Sequence, residues 1–515
     1  MLGMLLALVT PVSVTTYHDD DARTGANLRE HLLTPAVVNV EHFGKLASYA
    51  VDGQIYGQPL YLPDVHIGSR AAHDVVYVAT EHDSVYAFDA DPRAHASRKP
   101  LWRVSFLDAS HGVTSVPAQD FRCDAIEPEI GITSTPVIET ATGTLYVVAM
   151  TKEREGASVS YVQRLHALDV RTGAERPGSP VTIQASVPGS ADGGTVVVFN
   201  PAYHKQRAGL ALVHGVVYTT WASHCDRPRP FHGWLIGYDA RTLKQVAVYN
   251  TTPNGDEGAF WSGGAAPAVD AAGDLFVVSG NGTFDRGTTP PDLASSYLKL
   301  STGREVRVLD SFTPFDYERL NLHDLDLAAG GIVLLPDDVG SPQHPHLLAA
   351  GGKDGRIYLL DRDRLGGDQT GTDSGAVQRL DQMLHTYFFG DPAYFDGRLY
   401  FCSSFDRLKM FGVHDATLTI APLSQSRHTY MYPGCEPSVS ANGNKSGIVW
   451  TLDAPGTLRA YDASDLGREL YDSDQDRARD ALGSYVKFSV PTVADGRVYA
   501  GAGGALVIYG LIGSP

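Results

Sequence analysis

The sequence predicts an all-β fold: an eight-bladed β-propeller of four-stranded antiparallel blades. Three observations support this prediction, namely the composition, a unit that recurs eight times, and a strand-like segment near the start that has no partner within its own unit. A ring follows because a single blade cannot bury both of its faces, whereas neighbouring blades bury each other's faces.

The composition favours strands and tight turns over helices. The 515 residues include 53 Gly, 30 Pro and 25 Tyr, and only 19% are charged, against about 25% in an ordinary soluble domain. This excludes a helical bundle, a coiled coil and a low-complexity chain. The 59 acidic residues outnumber the 41 basic ones and give a formal net charge of −18. That balance argues against a nucleic-acid partner, whose phosphates require a basic surface.

The recurring unit is a β-rich run, a short turn and a partner run that usually ends in Asp. The first copy is 75–80 (VVYVAT), followed by VYAFDA from Val85. Aligning the eight partner runs brings one position into register at intervals between 80 and 48 residues. These positions are Asp89, Asp169, Asp239, Ser301, Asp361, Gly412, Asp462 and Gly510. Each copy is expected to form one blade.

The ring is expected to close with a strand from the start of the chain. The eighth copy lacks an outer strand after 506–511, and the strand-like segment 44–51 precedes the first copy. Pairing 44–51 with the blade that contains 497–511 would leave no open sheet edge. We therefore predict a single propeller domain over 18–515, preceded by an apolar, signal-like segment over 1–17.

The first residues and the cysteines both bear on cellular location. The apolar start resembles an export signal but has no basic residues before its apolar run, and the alternative is a buried or flexible N-terminus. No other stretch reaches the ~18 apolar residues of a membrane-spanning helix. Four cysteines are compatible with two disulfides in an exported protein. We expect a secreted or periplasmic protein without a membrane span.

One face of the propeller carries the long insertions. The B–C turns within blades and the D–A connections between blades emerge on this face, and their lengths predict that it binds the ligand. The alternative is that these loops only cover the central channel. Two pairs of cysteines fall near it, and of the three possible pairings we favour Cys402–Cys435 and Cys123–Cys225. Further candidates at the strand openings and turns of this face are Gln58, His82, Glu129, Lys152, His224, Asp391, Glu436 and Lys487.

The repeated pattern VYV…VYAFDA…LW resembles the pyrroloquinoline quinone (PQQ) repeat. That repeat builds the eight-bladed quinoprotein alcohol dehydrogenases and also non-catalytic propellers such as the outer-membrane assembly lipoprotein. The resemblance extends from Asp21 to the end of the chain. It implies PQQ and Ca²⁺ as cofactors, with a small-molecule substrate and an external electron acceptor if the protein is an enzyme.

Two segments resemble the parts of those enzymes that hold the quinone and the cation. Segment 261–264 (WSGG) is similar to the one whose tryptophan stacks under the quinone, which suggests that role for Trp261. Segment 276–282 (FVVSGNG) is similar to the one whose asparagine ligates Ca²⁺ through oxygen, which suggests Asn281. The alternatives are a core tryptophan between blades and an ordinary tight turn.

Two further segments resemble the catalytic part of the site. Segment 323–326 (HDLD) is similar to the one that holds the catalytic aspartate, and both Asp324 and Asp326 are candidates for that base. Segment 351–362 (GGKDGRIYLLDR) is similar to the one whose first basic residue contacts the quinone oxygens, which suggests Lys353. The alternative for both is a turn that only connects strands.

The chain also departs from the quinoprotein pattern. Many of these enzymes carry adjacent cysteines beside the cofactor, whereas segment 121–124 (FRCD) contains a single one. The glutamate that ligates Ca²⁺ has no clear counterpart, and Asp226 or Glu129 is the replacement that the sequence offers. A C-x-x-C-H haem motif is absent.

Two functional hypotheses follow. One is a PQQ-dependent dehydrogenase that oxidises an alcohol, sugar or aldehyde, and the other is a non-catalytic propeller that binds a protein or polysaccharide on its loop-rich face. The four segments favour the first hypothesis and the departures favour the second. The first requires Trp261, Asn281, Lys353 and one of the two aspartates to converge at the mouth of the central channel. It also predicts a cavity of several hundred Å³ beside Trp261.

Overall fold

The computed structural model describes residues 12–68, 72–93 and 98–513, and it confirms eight antiparallel blades around a central channel. The strands of each blade are lettered A to D from the channel outward. In the first half of the ring, blade 1 comprises Leu60–His66, Ala72–Ala79, Ser84–Asp89 and Trp102–Ser105, and blade 2 comprises Val137–Glu139, Thr144–Glu155, Ser158–Asp169 and Val181–Thr182. Strand A of blade 3 is formed by His204–Gln206 with Ala211–Val213, and its other strands are Val216–Ser223, Trp234–Asp239 and Gln245–Asn250. Blade 4 comprises Ala268–Val269, Leu275–Val278, Tyr297–Leu300 and Val308–Thr313.

The second half of the ring repeats this arrangement and closes it. Blade 5 comprises Ile332–Leu334, Leu347–Gly351, Ile357–Asp361 and Gln378–Leu380; blade 6 comprises Ala393–Phe395, Arg398–Cys402, Asp406–His414 and Ser424–Tyr430; blade 7 comprises Ser438–Asn442, Lys445–Asp453, Thr457–Asp462 and Asp465–Asp472; and blade 8 comprises Thr492–Ala494, the long segment Arg497–Leu511 and the N-terminal strand Phe43–Gln54.

The N-terminal strand closes the ring as predicted. It runs antiparallel to the end of the last long strand, with Phe43 opposite Leu511 and Tyr49 opposite Leu506. The edge that this blade would otherwise expose is therefore paired.

Short elements occupy the connections. None of the helices in the described residues has the length and apolar character of a membrane span. The α-helices are Tyr317–Leu322 and Arg477–Asp480, and the 3-10 helices are Ala109–His111, Ala118–Phe121, Ser262–Gly264, Leu327–Ala329, Asp337–Val339 and Ser473–Asp476. The remaining short strands are Ala26–Asn27, Val113–Thr114, Val116–Pro117, Glu129–Ile130, Ser186–Pro188, Val196–Val198, Phe284–Asp285, Asp292–Leu293, Gly367–Asp368 and Thr417–Leu418.

The core is divided among the spaces between blades. Alternate residues of strands B and C point to opposite faces of a blade, so each blade contributes one apolar face to each of two neighbours. The cluster between blades 8 and 1, for example, contains Tyr49, Phe88 and Leu506. Comparable clusters fill the other seven spaces. The ring is thus held by eight separate apolar layers.

The segment 12–30 lies inside the channel against the inner edges of the blades. Val14 forms a bridge with Tyr61 of blade 1, and the Arg23 side chain is fully buried, donating to the Pro267 carbonyl oxygen at 2.8 and 3.0 Å. Five carbonyl oxygens of the segment accept strand A amides of blades 2, 4, 5, 6 and 7; the pairs are Ile138–Thr15, Val269–Asp21, Leu334–Ala22, Tyr394–Thr24 and Val439–Gly25. Of the predicted signal-like segment, residues 1–11 lie outside the described residues and residues 12–17 belong to this channel segment.

Both disulfides have the predicted pairing. The Cα atoms are 5.7 Å apart in Cys123–Cys225 and 5.3 Å apart in Cys402–Cys435. The first bond ties the long connection between blades 1 and 2 to the B–C turn of blade 3. Both bonds therefore hold loops on the insertion-rich face.

Candidate functional site

Lys353 is the centre of an ion-pair cluster on the loop-rich face. It occupies the B–C turn of blade 5, and its Nζ donates to Asp326 Oδ2 at 2.6 Å and to Asp324 Oδ1 at 3.1 Å. Its backbone amide also donates to the Asp326 carbonyl oxygen at 3.0 Å. The connection between blades 4 and 5 and the turn of blade 5 are therefore joined through one lysine.

Asp326 links this lysine to the turn of the preceding blade. It is 5% exposed, and its Oδ1 accepts the Asn281 backbone amide at 2.9 Å. The Asn281 side-chain oxygen is buried and has no hydrogen-bond partner among the described residues. Asn321 braces the same turn by bonding Gly282 in both directions, at 2.8 and 3.2 Å.

Trp261 lies beside Asp326 and Asn281 because the residues at the contact points are glycines. A Cβ on Gly280 would lie 2.7 Å from Asp326 Oδ1 and 2.9 Å from Trp261 Cδ1. Gly263 has a φ of 57°, and a Cβ there would lie 1.8 Å from the carbonyl oxygen of Phe389. The Trp261 ring is half-buried. The four segments singled out from the sequence thus meet at one place.

Three carboxylates face the lysine and a fourth, Glu257, faces two of them; we name Asp226, Glu257, Asp324 and Asp326 the acidic cluster. Desolvation, followed by the Asp326 and Asp324 carboxylates, raises the pKa of Asp226 to about 6. Burial, opposed by the paired Arg229 and reinforced by neighbouring carboxylates, raises the pKa of Glu257 to about 7. The cluster holds more negative charge than its cations neutralise, so it favours an additional cation.

The charges of Lys353 and Asp324 depend on each other. Burial would lower the pKa of Lys353, but the carboxylates of Asp326 and Asp324 raise it above its usual value. Partial burial and the Asp326 carboxylate raise the pKa of Asp324, against the opposing effect of the lysine. Asp324 is also the exposed member of the pair, with a left-handed φ of 53°.

Sequence reasoning did not single out Glu257, Arg229 or Asn321. Glu257 lies four residues before Trp261 in the same connection, and Arg229 lies three residues after Asp226 in the same turn. Proximity in sequence to a proposed site residue was the available signal. The structure adds that Glu257 and Arg229 pair with each other across the two connections.

The remaining sequence candidates lie in other surroundings. Glu129 pairs with His82, whose Nδ1 lies 3.0 Å from each carboxylate oxygen, and its contacts do not include the acidic cluster within the described residues. His224 stacks on Phe121 with ring centroids 3.9 Å apart. Lys152 pairs with Asp120. A role for Glu129 or His224 in metal or ligand binding stays a prediction.

Gln58, Asp391 and Glu436 are buried in the channel, where the N-terminal segment covers them. The Gln58 side-chain oxygen accepts the His18 amide at 2.8 Å, and the Asp391 amide donates to Glu436 Oε2 at 2.8 Å. Both Asp391 carboxylate oxygens are buried without a hydrogen-bond partner among the described residues, and Oδ2 lies 3.8 Å from His18 Nδ1. Burial, followed by the Glu436 charge, raises the pKa of Asp391 well above its usual value.

Four cavities lie in blades 2 and 3 or beside the Trp261 connection. Two of about 690 and 620 Å³ are lined by residues of blades 2 and 3, including Phe199 and His214 respectively. Two of about 10 Å³ adjoin the Trp261 connection, one lined by Ser262 and the other by Gly263 and Arg207. Trp261 lines none of these four, and a cavity of several hundred Å³ beside it stays a prediction.

Comparison with solved structures relates this arrangement to known propellers. The chain superposes on quinohemoprotein alcohol dehydrogenase ADHIIG from Pseudomonas putida HK5 with a TM-score of 0.63 and 14% identity, covering 100% of this chain and 83% of that one. For a europium-containing methanol dehydrogenase the values are 0.61, 12%, 98% and 98%, and for BamB from Moraxella catarrhalis 0.51, 14%, 91% and 99%. The fold is that of the quinoprotein alcohol dehydrogenases. No family model and no curated protein sequence matches the chain.

The residues of this candidate site fit the cofactors that the fold implies. The unpartnered Asn281 Oδ1 and the acidic cluster provide only oxygen donors, which is the ligand chemistry of Ca²⁺. Among the described residues, no three His, Cys, Asp or Glu side chains stand close enough together to hold a metal by themselves. Asn281, backbone or ligand oxygens would therefore complete the coordination. The half-buried Trp261 ring offers a flat surface for a conjugated cofactor.

Proposed function

We propose that the protein is a PQQ- and Ca²⁺-dependent dehydrogenase that oxidises an alcohol, a sugar or an aldehyde. The observation that supports it best is the meeting of four segments that are distant in sequence. Lys353 holds Asp326, Asp326 holds the Asn281 turn, and Trp261 lies beside both. The fold shared with alcohol and methanol dehydrogenases also supports the proposal.

Different residues of the chain would bind the quinone and the cation. Trp261 supports the planar quinone, and Asn281 with the acidic cluster holds Ca²⁺. When bound, PQQ accepts the two electrons that leave the substrate carbon as hydride, and Ca²⁺ polarises the quinone carbonyl. The ligand would lie beside Trp261, at the mouth of the channel.

Asp326 is proposed as the base that takes the substrate hydroxyl proton. It is the carboxylate beside Trp261, and its two oxygens are oriented by Lys353 and by the Asn281 amide. Asp324, the exposed carboxylate on the same lysine, is the other candidate. Lys353 keeps a positive charge at the point where negative charge would develop on the ligand.

The two disulfides support export, because such bonds persist in oxidising compartments. We therefore propose a secreted or periplasmic enzyme. The chain contains no C-x-x-C-H motif, so its electrons would pass to a separate acceptor.

The test is retention and turnover with the cofactors added. Purified protein is mixed with PQQ and Ca²⁺, desalted, and examined for the quinone absorbance, then assayed by dye reduction over a panel of alcohols, sugars and aldehydes. We expect Asn281→Ala to lose Ca²⁺-dependent retention. Asp326→Asn should lower turnover by about 10²-fold or more while retaining the quinone, and Asp324→Asn should have the smaller effect.

Blade 6 provides a matched control for the lysine. Lys409 is also half-buried and bonded to an aspartate, with its Nζ 2.7 Å from Asp406 Oδ2. Lys353→Ala should lose quinone retention and turnover, whereas Lys409→Ala should keep both. Wild-type protein without PQQ-dependent turnover over the whole panel would overturn the proposal.

A binding function is the alternative that such a failure would favour. Four large apolar side chains are exposed in turns and connections of the loop-rich face, which suits contact with a protein or polysaccharide. They are Tyr387, Phe405, Met431 and Tyr432. The four-segment convergence is the reason that the enzyme is proposed first.

A further inference from the structure

Three cations lie near one another at the channel mouth, and we name Lys205, Arg207 and Lys487 the cationic trio. Lys205 lies in strand A of blade 3, Arg207 follows that strand, and Lys487 lies in the connection that enters blade 8. The Lys205 Nζ is buried and has no hydrogen-bond partner within the described residues. In that part of the chain none of the three forms a salt bridge. The carboxylates of Glu81 and Glu436 act on Lys205 and Arg207 electrostatically, but within the described residues neither forms a salt bridge with the trio.

The two outer cations rest on aromatic rings. The Arg207 guanidinium lies 4.4 Å from the centre of the Phe488 ring. The Lys487 Nζ lies 5.7 Å from the same centre and 5.9 Å from that of Tyr432. Phe389 joins the group, with ring centroids 5.4 Å from Tyr432 and 6.1 Å from Phe488. The rings position the positive charges but do not neutralise them.

The positive charges of the trio repel one another. Burial, followed by the charge of Arg207, lowers the pKa of Lys487 to about 8. Burial lowers the pKa of Lys205 to about 8 as well, with Arg207 and Lys487 adding to the effect and Glu81 opposing it. Asp124 also faces Lys487. A bound anion would relieve this repulsion and stabilise the charged forms.

The trio adjoins the connection that carries Trp261. Arg207 lines the same small cavity as Gly263, Gly264 and Phe488. Lys205 is paired in the sheet with Ala222, which packs with Trp261 in one apolar cluster. A ligand on Trp261 therefore has the acidic cluster at Gly280 and Asn281, and positive charge beside Gly263.

We propose that the cationic trio is an anion subsite that binds the carboxylates of a planar polycarboxylate ligand lying on Trp261. The inference rests on the proposed function for the identity of that ligand, since PQQ is a flat tricarboxylate. The neighbouring aromatic rings suit a conjugated anion better than a compact inorganic one.

Two probes separate this subsite from the rest of the site. Benzene-1,3,5-tricarboxylate without Ca²⁺ tests the anion site alone, and PQQ with Ca²⁺ tests the whole site. Binding is measured by calorimetry, without turnover, at 50 and 500 mM NaCl. We expect wild-type protein to bind the tricarboxylate more weakly at the higher salt concentration. Lys487→Met and Arg207→Met should each weaken binding of both probes by about tenfold or more.

Matched variants give the comparison. Lys409→Met removes a half-buried lysine from blade 6 and should leave both affinities unchanged. Arg207→Lys keeps the charge and should retain most of the tricarboxylate affinity. Lys205→Met removes a buried charge and could disturb the fold. Its near-ultraviolet circular dichroism is therefore compared with that of Lys487→Met, a substitution at a half-buried position that should leave the fold intact.

The outcomes distinguish this inference from the proposed function. Tricarboxylate binding that depends on the trio, in a protein that does not retain PQQ, would support the subsite and overturn the dehydrogenase proposal. Retention of PQQ with unchanged affinities for both probes in Lys487→Met and Arg207→Met would overturn the subsite and keep the enzyme.

Discussion

Replacing Glu436 with Gln should make the propeller more resistant to alkaline pH. Glu436 is 3% exposed, and burial raises its pKa from the ordinary 4.5 to about 8. Between these values the folded state holds a proton that the unfolded state releases, so the free energy of unfolding falls as the pH rises and levels off above the higher value. The difference corresponds to roughly 5 kcal/mol. Glutamine cannot ionise, so the variant escapes this loss.

The neighbouring groups act in the same direction. Tyr17 and Asp391 share the pocket, and burial raises the pKa of both groups well above their usual values. Arg207 is the cation that opposes the effect at Glu436. The glutamine oxygen can still accept the Asp391 amide that Glu436 Oε2 accepts at 2.8 Å. The amide exchange itself therefore adds a difference that does not vary with pH.

Thermal unfolding at two pH values measures the effect. For a chain of this length, roughly 5 kcal/mol corresponds to a Tm change of about 5 °C. Because about 1 kcal/mol of this is already lost at pH 5, the Tm of Glu436→Gln minus that of wild type should be about 4 °C more positive at pH 8.5 than at pH 5. The exposed Glu305→Gln serves as the control because its carboxylate stays in water. An equal difference at both pH values, or a larger one at pH 5, would refute the reasoning.

Three further variants test other parts of the structure. Gly263→Ala should lower the free energy of unfolding, measured by denaturant titration, by more than about 3 kcal/mol, because its Cβ would meet a carbonyl oxygen. Its control is Gly215→Ala, at a positive φ in open space, which should lower the free energy of unfolding by about 1 kcal/mol. Arg23→Met should cost about 3–5 kcal/mol in the same titration because it leaves buried carbonyls without a donor, and a change below about 1 kcal/mol would contradict that role. Cys225→Ser should weaken Ca²⁺ binding measured by calorimetry about tenfold by freeing the loop of the acidic cluster, whereas Cys402→Ser should not; equal affinities in the two variants would contradict it.

Much of the fold could be predicted from the sequence because repetition makes each blade evidence for the others. The closing strand at 44–51 was predictable because the last repeat lacks an outer strand. Both disulfides were predictable because the paired cysteines lie in loops on the same face of the ring. The site was predictable where a residue sat inside a recognisable segment, as Lys353 and Asn281 did. Arg207 and Glu257 gave no such signal, because their importance arises from neighbours contributed by other blades. A local sequence pattern does not reveal a contact between residues of different blades, because that contact forms only when the ring closes.

The segment inside the channel constrains the order in which the molecule assembles. Asn27 donates to the carbonyl oxygen of Val493, a residue 466 positions later, and Phe43–Gln54 completes the last blade. Because strand A of nearly every blade surrounds residues 14–27, these residues must be in place before the ring closes around them. Closure therefore waits for the final strands to be synthesised. Until then the first and last blades expose unpaired edges, which makes the unfinished chain prone to aggregation.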